Sequence, residues 1–119
     1  MTDFSPSALF PDQHVPEFRL VFEKLFRECQ TLGYRLLDYF GIELGLEEGF
    51  LSGKHRKVGT EWNSTALRAL FYPPVPVPEE DYVIRCAPHS DYGSLTLLFQ
   101  DDVGGLEVRP VPNRDDDAM

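Results

Sequence analysis

The stretch RCAPHSDYGSLTLLFQDDVGGLEVRP (residues 85–110) contains the most strand-like run of the chain and an imidazole–carboxylate pair at its mouth. SLTLLFQ (94–100) and GLEVRP (105–110) read as strands, preceded by YVIRCAP (82–88), with turn chemistry at SDYG and DDVGG between them. Leu95 to Phe99 are apolar on nearly both faces, so this run demands cover on both sides. His89 and Asp91 stand two apart. If the strand persists, alternate residues face one way and Arg85, Ala87, His89 and Asp91 share a face. An imidazole and a carboxylate aimed at one point suit two adjacent ligands of an octahedral metal. The bland alternative stays open: a hydrogen-bonded loop histidine, and an Asx-type turn residue ahead of Gly93.

Outward from this stretch, TALRALFY (65–72) is a further strand candidate, closed by Pro73 and Pro74, and PPVPVPEED (73–81) is a Pro-rich connection. The amino-terminal half has a different period. Phe18, Val21, Phe22, Leu25, Phe26, Cys29, Leu32, Leu36, Leu37 and Phe40 recur at three- and four-residue steps, one apolar face of a helix. Pro16 suits its first turn, and Gly41 or Gly45 its end, for a length of about 25 residues. Gly33 is a weak point within it. LEEGFLSG (46–53) reads as a short helix, KHRKVGTEWNS (54–64) as a polar loop and residues 1–14 as an irregular lead-in. The expected class is α+β: a long helix backing part of a sandwich or jelly roll.

The net charge of −9 disfavours nucleic acid and anionic membrane surfaces as partners. No apolar run approaches the roughly 20 residues of a membrane span, and MTDFSPSALFPDQ lacks the basic-then-apolar pattern of a signal peptide. Two cysteines, Cys29 and Cys86, make no disulfide framework. A reduced, cytoplasmic setting with both thiols buried as small hydrophobes is the expectation. The acidic, Pro-containing VRPVPNRDDDAM is consistent with a solvated tail or with truncation inside a domain.

IRCAPHSDYGSLTLLFQDDVGGLEV, with LRALFYPP upstream and FPDQHVPEFR opening the long helix, resembles the isopenicillin N synthase-like family of 2-oxoglutarate/Fe(II)-dependent dioxygenases. The resemblance implies an incomplete double-stranded β-helix, with residues 1–64 flanking it and 65–119 supplying its first strands. It implies that His89 and Asp91 are Fe(II) ligands and that Tyr72 hydrogen-bonds the distal carboxylate of 2-oxoglutarate. For Tyr72 a strand-end aromatic with its hydroxyl in water is the open alternative. Leu70 stands where many members carry Asn, and Ser90 where Thr is usual. Arg85 is expected in a structural ion pair or at a strand edge.

The family's distal His and its Arg-x-Ser pair have no counterpart after GGLEV, and His14 and His55 precede the barrel. Neither Arg109 nor Arg114 has Ser two residues on. The chain is therefore expected to be an inactive fragment of an oxidoreductase using Fe(II), 2-oxoglutarate, O2 and a small organic substrate. A non-catalytic fragment or binding module that has lost the third metal ligand is the alternative, self-associating through exposed strand edges. A two-ligand halogenating relative is a third reading, opposed by the presence of Asp91.

Overall fold

The computed structural model describes residues 10–74, 76 and 84–110. Its first element, α1, spans Pro16–Glu43 (28 residues). Pro16 opens it as expected, where the missing N–H has no helical partner to lose. A turn leads in, with the amides of His14 and Val15 both donating to the Pro11 carbonyl (2.9 and 2.8 Å). Phe10 folds back onto the first turns, edge-on to Phe22 at 6.1 Å, while Phe18 and Phe22 stack at 5.2 Å. Arg19 lies over the Phe10 ring at 4.2 Å and donates to Asp12. That hydrogen bond is the main reason its guanidinium is held above its ordinary pKa.

The helix runs through Gly33 without a break and ends at a Schellman motif. Gly45 takes a positive φ of 71°, its amide donates to Ile42, and the Leu46 amide donates to Gly41, each at 2.9 Å. The second helix, α2, spans Phe50–Lys54 and starts at Gly49, also at positive φ (78°). It is shorter than the expected 46–53 element and lies against the end of α1, where Gly41 is buried beside Leu51. The face of α1 turned inward is rotated from the expected one. Phe26, Leu37 and Gly41 are buried, and Cys29, Gln30, Gly33 and Tyr34 half-buried, whereas Val21, Leu25, Leu32 and Phe40 are exposed.

The expected jelly-roll sheet does not form: among the described residues there are two helices and no strand. Segments 65–72, 84–88, 94–100 and 105–110 lack a ladder, and no backbone–backbone hydrogen bond among the described residues involves residue 64 or any later one. Residues 1–9 of the lead-in, Tyr82 and Val83, most of the Pro-rich connection and residues 111–119 of the acidic tail lie outside the described residues. The reason is physical. Alternating and β-branched residues favour an extended backbone locally, but a strand also needs a partner about 4.8 Å away in register, and short unpaired strands are not stable by themselves. What survives is one-sided burial: Leu67, Leu95 and Leu97 are half-buried, while Thr96, Leu98 and Phe99 are exposed. These inward residues face α1 across a cleft of about 460 Å³. At DDVGG the turn does form, with the Val103 amide on the Asp101 carboxylate (3.0 Å) and both glycines at positive φ.

Candidate metal centre

His89 and Asp91 come together in irregular chain and not along a strand. His89 Nε2 lies 3.4 Å from Asp91 Oδ1, and the side chains are 59% and 52% exposed. The other ring nitrogen, Nδ1, is 2.9 Å from the Ala87 carbonyl oxygen. A carbonyl only accepts, so Nδ1 carries a proton, and whenever the ring is neutral Nε2 presents a lone pair. That lone pair faces a carboxylate oxygen, two acceptors that attract only with a proton or a cation between them. A divalent ion with bonds of about 2.1 Å at right angles would hold two such donors about 3.0 Å apart. One imidazole nitrogen and one carboxylate oxygen therefore fit a borderline divalent transition-metal ion, as two of its ligands.

The carboxylate is oriented as well. Thr96 donates its hydroxyl to Asp91 Oδ2, leaving Oδ1 toward His89. No backbone amide among the described residues reaches the Asp91 carboxylate, so the Asx-turn role is not adopted. Thr96 escaped the sequence reading, although its placement five residues after Asp91 was visible. The strand alternation invoked for these residues gives no reason to link them when no strand forms. Cys86 is exposed, against expectation, with its sulfur 3.7 Å from His89 Nδ1; Cys29 is half-buried, and both are free thiols.

Tyr72 is half exposed, and among the described residues nothing hydrogen-bonds its hydroxyl. Its ring lies 5.3 Å under the Arg85 guanidinium, which also donates to the Pro73 carbonyl at 2.9 Å. Arg85 thus bridges the segment of Tyr72 and the segment of His89, a structural role made of a cation–π contact and a hydrogen bond instead of an ion pair. His14 sits in the lead-in turn, and His55 reaches Ser94 and not the His89–Asp91 pair. Among the described residues no group of three His, Cys, Asp or Glu side chains is placed to hold a metal. No described helix is long and apolar enough to cross a membrane.

Residues 63–117 match the family model of the 2OG-Fe(II) oxygenase superfamily. The chain is 40% identical over 104 residues to the 2-oxoglutarate-dependent dioxygenase frbA of Dothideomycetidae sp., covering 87% of this chain and 29% of the relative. It is 38% identical over 108 residues to the 2-oxoglutarate-dependent dioxygenase htyE of Aspergillus rugulosus (91% and 31%). Gibberellin 20 oxidase 2 of rice, Oryza sativa, is 36% identical over 108 residues (91% and 25%). The chain thus spans less than a third of the length of these relatives. No solved structure matches it. Together the matched region and these relatives show that the chain carries part of a 2OG-Fe(II) oxygenase domain.

Proposed function

We propose that the chain is the portion of a 2-oxoglutarate- and Fe(II)-dependent dioxygenase that supplies two metal ligands, His89 and Asp91, in an enzyme oxidising a small organic substrate. The observation that carries this reading is His89 Nε2 facing Asp91 Oδ1 at 3.4 Å. Residues 65–119 would form the start of the oxygenase region and residues 1–64 its helical flank, a division supported by a family match that begins at residue 63. Ala87 holds the proton on Nδ1 of His89 and Thr96 holds the far oxygen of Asp91, so both donor atoms are set before a metal arrives. When bound, Fe(II) with 2-oxoglutarate activates O2 for oxidation of the substrate. Tyr72 would donate its hydroxyl to the co-substrate carboxylate. With half of it exposed and that hydroxyl unpartnered among the described residues, the donor is available.

A second reading, a non-catalytic module, is favoured by one observation: no third metal donor stands near the pair among the described residues. Succinate production separates the two. In the full-length parent, His89→Ala and Asp91→Ala are expected to abolish 2-oxoglutarate-dependent succinate formation while the protein stays folded. Wild-type succinate production by either variant would sink the assignment. The 119-residue chain by itself, loaded anaerobically with Fe(II), is expected to form no succinate above a metal-only control. Two protein ligands hold the ion weakly, and a site this exposed cannot exclude water. Robust turnover by this chain would require a third ligand from within it or from a second copy.

A further inference from the structure

Building on the metal-site reading, we infer that His55 is a positioning residue. Through Ser94 it ties the loop that carries His89 and Asp91 to the helix pair. His55 Nε2 is 2.8 Å from Ser94 Oγ, while Nδ1 is 2.8 Å from the Leu51 carbonyl oxygen. Because that carbonyl only accepts, Nδ1 holds a proton, and in the neutral ring Nε2 accepts the Ser94 hydroxyl.

His55 is itself anchored on both sides. Its amide donates to Ser52 (2.9 Å), and its carbonyl accepts the Tyr34 hydroxyl of α1 (3.0 Å). Gln30 of α1 donates to the Val58 carbonyl three residues on (3.1 Å). Rigid helix, fixed carbonyl, fixed ring and Ser94 therefore form one connected path. Ser94 lies three residues after Asp91 and two before Thr96, inside the segment whose geometry sets the donor pair.

No other hydrogen bond among the described residues joins residues 10–63 to residues 84–110. The site loop also lacks backbone hydrogen bonds of its own, so its orientation rests on side-chain links such as this one. A loop held before the metal arrives loses less conformational freedom on binding, which is how a distant residue raises affinity without touching the ion.

The test uses the whole 119-residue chain and Mn(II), a redox-quiet stand-in for Fe(II). Free ion is read from its electron paramagnetic resonance signal, and folding from the helical circular dichroism. Binding that falls in His89→Ala and Asp91→Ala locates the metal. Against that baseline, His55→Ala and Ser94→Ala should each weaken Mn(II) by about 2- to 10-fold, the range one lost neutral hydrogen bond allows. The double variant should be no weaker than the weaker single one. His55→Gln, whose amide reaches toward Ser94, should recover most of the loss, whereas His55→Asn, long enough only for Leu51, should not. General destabilisation would not sort these two variants.

In the metal-free chain, Ser94→Ala should also shift the His55 Nε2 resonance in long-range ¹H–¹⁵N spectra. An unmoved resonance, or folded His55→Ala and Ser94→Ala chains that bind Mn(II) like wild type, overturns the positioning role and leaves the metal site standing. Mn(II) binding indifferent to His89 and Asp91 overturns the site, and the positioning role with it. If His55→Ala loses its helical signal, Ser94→Ala, which removes one hydroxyl, decides.

Discussion

Nε2 of His89 is the ring nitrogen turned to Asp91 because Nδ1 donates its hydrogen bond to the Ala87 carbonyl, two residues back in its own loop. Asp91 is treated similarly by Thr96, so one short segment supplies two donor atoms and the groups that aim them. Thr96→Val keeps the shape of the side chain and deletes only the hydroxyl. It is expected to weaken divalent-metal binding by about tenfold, at the lower end of what outer contacts to metal ligands contribute, because this site is half open to water. Mn(II) titration against wild type, with helical content as the folding control, measures it. An unchanged affinity would show that Asp91 needs no orienting partner.

At the scale of elements, α1 is the dominant structure, and its glycines divide by what each must do. Gly33 is helical, and a methyl group there would meet nothing within 4 Å. Gly33→Ala should therefore stabilise α1 by about 0.5–1 kcal/mol, the usual helix-interior difference. Gly45 terminates the helix at φ 71°, a conformation that costs an L-residue about 1–2 kcal/mol. Gly45→Ala should destabilise by about that amount, although it too adds only a methyl group. Thermal melts followed by the helical signal should move in opposite directions for the two variants. A common direction would mean that α1 does not end where the structure places it.

For the whole molecule, the radius of gyration is 18.8 Å, against about 13.5 Å for a compact domain of this length. Only Phe26 and Leu37 are buried hydrophobics among the described residues. Leu70, Phe71, Leu98, Phe99 and Val108 are between 58% and 85% exposed, on segments with unpaired backbone. Such surfaces associate, since burying each large apolar side chain contributes about 1.5–3 kcal/mol. The 119-residue chain is expected to bind a hydrophobic dye and to sediment with a mass that rises with concentration. Leu98→Lys with Phe99→Asp should reduce both effects. A dye-negative monomer with a sharp, cooperative melt would contradict this picture of the fold.

The start of α1 at Pro16, its stop at the second of two candidate glycines, Gly41 and Gly45, the turn at DDVGG and the closeness of His89 to Asp91 were legible in the residues. Each is governed within a few positions of chain, by a fixed proline φ, a glycine that tolerates positive φ, or two side chains a residue apart. The expected sheet failed on the same criterion. Leu95 to Phe99 carry the local preference for an extended backbone, but a strand exists only when a distant segment supplies hydrogen bonds in register. Which side of α1 turns inward was likewise beyond local pattern. Gln30 and Tyr34 face in because the carbonyls of Val58 and His55 await them, while Leu25 and Leu32 stay out. The bond from His55 to Ser94 spans 39 positions. Contacts of that reach depend on how the whole chain is laid out, and only the tertiary structure decides them.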